Sequence, residues 1–78
     1  MATATTAWNL LRRDQDFVSL DYMDEVMENA RSIISNDEWE KMKSDEGLEE
    51  RINWETFENL VRYVRLAPVF ASVSAFLP

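Results

Sequence analysis

The sequence predicts an all-α protein: two paired helix-loop-helix units forming a single lobe, with a short fifth helix after them. Three observations carry that expectation. Apolar residues recur at three- and four-residue steps in four stretches, the period of helices with one buried face. Residues that favour helix caps stand directly ahead of several of these stretches. The order short helix, acidic loop, branched apolar residue, cap, longer helix also occurs twice, with Val18 and Ile52 as the branched residues thirty-four positions apart.

The first helix rests on Trp8 and Leu11, three apart in "TTAWNLLRR", which give a narrow apolar stripe. In the second, Leu20, Met23, Val26, Met27, Ala30, Ile33 and Ile34 line one face from about Leu20 to Ile34, and Ser19 is placed to cap it. The third begins at "SNDE", where Ser35 and Glu38 have capping-box spacing, and its apolar face is Trp39 and Met42. The "SDEG" after Lys43 ends it, because Gly47 is the one glycine in the chain and tolerates the left-handed conformation of a helix stop. Asn53 caps a fourth helix with the stripe Trp54, Phe57, Leu60, Val61 and Val64, and Pro68 is expected to end it. Residues 1–67 are thus read as the paired unit and 68–78 as an apolar tail. In that tail Val69, Phe70, Val73, Phe76 and Leu77 have helical spacing, so a fifth short helix is expected to cover apolar surface of the lobe.

Composition narrows the function classes. Seventy-eight residues make one small domain with a thin stability margin. Without Cys or His, the chain has no disulfide, thiolate or zinc chemistry and no imidazole base. The net charge of −7 is uneven: all fifteen carboxylates lie between Asp14 and Glu58, whereas from Val61 onward the charged residues are Arg62 and Arg65. Such a field repels phosphate backbones and favours a basic partner, so no nucleic acid is expected. The apolar run from Leu66 to Leu77 is too short to span a bilayer, and "MATATTAW" has neither the basic start nor the apolar core of a leader. A soluble, cytoplasmic protein with no membrane partner is expected. Asp14 with Asp16 and Glu49 with Glu50 lie in charged, wet segments with no reason for shifted pKa values, and no His activates a hydroxyl. No enzyme activity and no cofactor are therefore expected.

The segments "INWETFENLV" and "DQDFVSLDYMDEVM" resemble the loop ends and exiting helices of the EF-hand family. There, two helix-loop-helix units pair through the eighth position of each loop, here Ile52 and Val18. Trp8 with Leu11, and Trp39 with Met42, stand where the entering helices of that family carry apolar anchors. The ligand positions depart from the pattern. In the first loop Asp14 and Asp16 suit the third and fifth positions, but Arg12 holds the first, the glycine is deleted and Tyr22 replaces the closing Glu. The second loop, from about Lys43 to Thr56, is two residues too long and closes on Thr56, with Glu55 beside it. Calcium takes about six to eight oxygen ligands, so no metal is expected in either loop.

The resemblance implies a lobe that grips an amphipathic helix without calcium. On its pattern Leu11, Met23, Met27, Trp39, Met42, Leu60 and Val61 fall on groove-lining positions, with Met side chains adapting to the target. The chain is similar to a single-lobe myosin light chain or half of a calmodulin-like protein. The partner so implied is a basic IQ-type helix, such as a myosin neck, with the acidic rim steering it. A tail lying in the groove would compete with that helix. The rival expectation is a small acidic helical adaptor or inhibitor that occupies a basic surface of another protein, built as a plain bundle in which Val18 and Ile52 do not meet.

Overall fold

A computed structural model describes residues 4–78. Helix α1 spans Ala4–Arg12 and turns Ala7, Trp8 and Leu11 inward. Strand β1, Val18–Ser19, leads directly into α2, Leu20–Asn29. The second unit repeats this plan with α3, Asn36–Glu46, strand β2, Arg51–Ile52, and α4, Trp54–Leu60. Helix α5, Ala67–Ala71, and a 3-10 turn, Val73–Ala75, follow. The chain is predominantly helical, and among the described residues no helix is long and apolar enough to cross a membrane.

The caps explain both the helix starts and the strands. The Ser19 hydroxyl accepts the Tyr22 amide at 3.1 Å, and Asn53 Oδ1 accepts the Thr56 amide at 2.8 Å. Ser35 and Glu38 form a reciprocal capping box, with 3.2 Å from each backbone amide to the other residue's side chain. A capping residue must itself be extended, and Ser19 (φ −70, ψ 146) and Asn53 (φ −86, ψ 175) are. The extended backbone reaches back to the branched residue ahead of each cap, which suits a strand. Val18 therefore lies opposite Ile52 in an antiparallel pair, with Ser19 opposite Arg51. The Leu20 amide extends the contact to the Glu50 carbonyl at 2.8 Å. Gly47, at φ 59 and ψ 42, closes α3 on the Lys43 and Ser44 carbonyls.

Three helix ends differ from expectation. The stripe running to Ile34 is helical only to Asn29. The Ala30 amide already shares the Val26 and Met27 carbonyls, and the Ile33 amide returns to Ala30, which tightens the chain into turns. The cause is the extended conformation that Ser35 needs as the cap of α3, which forces a reversal within one turn. Ala30 and Ile34 stay buried, so the spacing marked burial correctly but not helix. Helix α4 stops at Leu60 rather than near Pro68, and turns from Arg62 to Asn59 and from Tyr63 to Leu60 replace its last stretch. Pro68 instead lies in the first turn of α5, where its missing N–H costs nothing. Val64, expected in the stripe of α4, is 86% exposed because the helix ends before reaching it.

One hydrophobic cluster joins both units and the tail. Phe57, Met23, Met27, Ile34, Ile52 and Leu60 are fully enclosed, together with Leu66 and Val69 from the C-terminal segment. No charged or polar residue is buried among the described residues. The paired strands bring Val18 and Ile52, both members of this core, together where the two units meet.

Candidate functional site

The first loop is held by side chains, and the second opens on backbone bonds from the Gly47 and Leu48 amides to the Ser44 and Lys43 carbonyls. In the first, the Arg12 guanidinium donates to Asn9 Oδ1 and to the Gln15 carbonyl, both at 3.0 Å. Arg13 adopts φ 57, a left-handed conformation that costs a non-glycine residue about 1–2 kcal/mol. Its guanidinium lies 4.8 Å from the centre of the Tyr22 ring and donates to the Tyr22 hydroxyl at 3.3 Å. A covalently attached cation thus ties the loop entrance to the exiting helix. In the pairing region Arg51 stacks on Phe17 at 4.4 Å. Asp14 and Asp16 are exposed beside this cationic pair, and among the described residues no three carboxylates gather into a metal-sized group. This donor set does not fit calcium.

The seven residues marked as groove-lining come together, but inside the molecule. Leu11, Met23, Met27, Trp39, Met42 and Leu60 are buried members of the single core cluster, and Val61 is half-buried against it. The lobe is therefore closed over them. A cleft of about 190 Å³ lies between α2 and α3; it touches Met27 and Trp39 and is rimmed by three carboxylates, Asp24, Glu28 and Glu40, and two cations, Arg31 and Lys43.

The polar chemistry of that cleft centres on Asp24. Its Oδ1 accepts the Trp39 indole N–H at 2.8 Å and the Lys43 ammonium at 3.0 Å. Lys43 also pairs with Glu40. That second hydrogen bond, with Asp24 behind it, holds the Lys43 pKa above its ordinary value against the opposing effect of burial. The Trp39 ring is fixed in orientation by a charged acceptor, while Glu28 and the outer edge of Glu40 add negative charge to the rim. Lys43 thus already occupies Asp24 and Glu40, and Met27 and Trp39 lie buried beneath, so the cleft carries its own cation over a closed apolar floor.

Across the other helices lies the tail. Both α5 and the 3-10 turn pack on α1. Phe70 meets Phe57 of α4 edge to face at 4.9 Å and 64°. Asn29, at the end of α2, donates from Nδ2 to the Phe76 carbonyl at 2.9 Å. Ahead of the tail, Tyr63 donates to Glu46 at 2.6 Å and Arg65 pairs with Glu38 at 3.0 Å, both partners lying on α3. The Tyr63 hydroxyl is pushed up in pKa by the Glu46 hydrogen bond. Glu38 is held below the usual carboxylate range, chiefly by the Ser35 amide and hydroxyl and to a lesser degree by Arg65. Trp54 stays partly exposed at the edge of an aromatic group, 5.7 Å from Trp8 at 62°.

Sequence reasoning missed Asp24 as the anchor of Trp39 and Lys43, because the partners come from separate helices. It also missed the contacts of Arg65 and Phe70. The available signal for these was the charge asymmetry, since a segment with two arginines and no carboxylate follows an acidic lobe. No family model matches the chain, nor does any curated protein or solved structure.

Proposed function

We propose that this protein is a calcium-independent, EF-hand-like binding module, similar to a single-lobe myosin light chain, that clamps a basic amphipathic helix of the IQ type in a motor or scaffold protein. The observation that carries this reading is the antiparallel contact of Val18 with Ile52. It joins two helix-loop-helix units at equivalent points, whereas the plain bundle of the rival expectation leaves those residues apart. The role is mechanical: binding stiffens a helix that is otherwise exposed, with no bond made or broken.

The test is titration of the full chain with a basic IQ-type helical peptide, following tryptophan fluorescence first with excess calcium and then with chelator. Equal, tight binding in both conditions is expected, since Arg12 and Arg13 hold the first loop without metal. Binding that needs calcium, or no binding in either condition by the chain and by a variant whose tail is weakened, refutes the reading.

The burial of six of the seven groove-lining residues favours one alternative, an acidic helical adaptor or inhibitor that meets a basic surface through its exposed carboxylates. That reading predicts binding that 0.5 M salt abolishes, on the order of a few-ångström screening length, and that is indifferent to Met27. The clamp retains an apolar share of its affinity in salt.

A further inference from the structure

The segment that covers the lobe has the chemistry proposed for its partner. From Arg62 to Leu77 the chain carries two arginines and no carboxylate, in a protein of net charge −7. Counting from Val69, apolar residues stand at the first, second, fifth, eighth and ninth positions, as Val69, Phe70, Val73, Phe76 and Leu77. Arg65 and Arg62 precede Val69 by four and seven positions. This is the arrangement of a basic amphipathic helix, with arginines one and two turns ahead of an apolar pair. In the structure the segment is folded as turns before Ala67, then α5 and the 3-10 turn, with its larger apolar residues from Leu66 onward inward. Val69, Phe70 and Val73 are buried against α1 and α4, and Arg65 reaches a carboxylate of α3.

We propose that Arg62–Leu77 is an internal occupant of the surface on which a basic amphipathic helix binds, so that the tail and the partner exclude one another and the partner carries the tail's own spacing. This rests on the helix-clamp reading above and specifies its site and its control. The bed is the face of α1 and α4 on which the tail now packs, with Phe70 on Phe57; it is separate from the α2–α3 cleft, which no tail residue lines.

Three features make the tail replaceable. Helix α5 is five residues long and has no side-chain cap, so it contributes little helical stability of its own. Two of its polar ties lie at the surface, Asn29 to the Phe76 carbonyl and Arg65, whose side chain is 66% exposed, while a third, Tyr63 to Glu46, is partly buried. The tail is also broken at Ser72 between α5 and the 3-10 turn. A continuous partner helix satisfies its own backbone and presents the same anchors without that break. Affinity is then reduced by the fraction of molecules whose tail is docked, and weakening the tail raises it by the same factor.

The experiment uses the full chain and a synthetic alanine-rich helix with Arg at positions 1 and 4, Val-Phe at 8 and 9, Val at 12 and Phe-Leu at 15 and 16, which are the offsets of Arg62 to Leu77. Amide hydrogen exchange is followed with and without this peptide. On binding, the Phe70, Ala75 and Phe76 amides, now bonded to the Leu66, Ser72 and Val73 carbonyls, should exchange at least about tenfold faster, while the Phe57 amide in α4 keeps its protection. The exposed double variant R65A/N29A removes both surface ties without opening the core. It should bind the peptide about fivefold more tightly than the parent chain.

Binding with unchanged tail exchange refutes the exclusion while leaving the clamp reading intact. Binding of an IQ-type peptide but not of the tail-patterned one refutes the shared spacing alone. Failure of both peptides to bind both proteins refutes the clamp reading, and this inference with it.

Discussion

Phe70→Ala distinguishes a tail that is an exchangeable occupant from one that is an integral part of the core. Phe70 is 4% exposed and sets its edge on Phe57, itself at 0% exposure in the centre of the cluster. If the cavity left by the ring stays closed off, Phe→Ala costs about 3–5 kcal/mol. The lost edge-to-face pair accounts for about 0.5–1.5 kcal/mol of such a cost. A domain of this length has total stability on the order of 4–12 kcal/mol, so such a loss takes a large share. A replaceable tail sets a lower ceiling, because once docking is no longer favourable the segment leaves and the loss stops at its docking free energy. The expected result in urea titration, followed by the fluorescence of Trp8 and Trp54 beside Phe57, is a folded lobe that has lost less than about 3 kcal/mol. Its m-value should fall, because the native state already exposes the tail and less surface remains to be uncovered. A loss of about 3–5 kcal/mol with unchanged m would show that tail and lobe unfold as one unit. In that case no partner helix can take the tail's place while the lobe stays folded.

Further outcomes follow from the caps, the cleft and the charges. Gly47→Ala should cost about 1–2 kcal/mol in urea unfolding, because the φ of 59° strains an L-residue although no atom lies within 4 Å of the added Cβ. Met27→Ala should weaken a basic-helix peptide by more than about 1 kcal/mol in a fluorescence titration, with folding checked by circular dichroism. Unchanged affinity in a folded variant removes the α2–α3 cleft from the binding surface. The Glu38→Gln variant tests the capping box by its pH dependence. The folded-state pKa of Glu38 lies below the ordinary value of 4.5, so its ionised form stabilises the fold above that pH. That contribution is lost as pH falls through the lowered folded pKa. The stability gap between parent and variant should therefore be full at neutral pH and shrink in acid, and a gap that is constant with pH would contradict the assignment.

Local chemistry was legible in the sequence wherever one residue needed a particular backbone. Ser19, Ser35 and Asn53 cap the helices they precede, and Gly47 ends α3 in the left-handed conformation that its lack of a side chain permits. The antiparallel meeting of Val18 and Ile52 was expected only through the resemblance, which pairs the eighth loop positions; the caps account for each residue being extended, not for their pairing. Misreadings arose where spacing was taken to imply conformation. Ala30 and Ile34 are buried at the intervals of a helix yet lie in and after a tight turn, because burial constrains where side chains go and not which hydrogen bonds the backbone makes. Pro68 was read as a stop when it is a start, since the proline itself is compatible with either side of a break.

The candidate site was harder to read, for a reason that is physical rather than local. A stripe such as Trp39 and Met42 states that a face is covered, not what covers it. The closed lobe and a lobe gripping a foreign helix need the same residues, which is why the groove-lining set is found together and yet buried. What separates the two cases is where charge and apolar surface sit along the chain. The carboxylates end at Glu58, and the segment beyond supplies Arg65 to Glu38 and Phe70 to Phe57. An acidic lobe attracts a basic tail and a basic helix by the same field, and the pairing of Arg65 with Glu38 is that attraction within the chain. On the proposed clamp, the sign of the charge on Arg62 and Arg65 gives the tail the charge of the helix it would exclude, which is why the exchange experiment tests both at once.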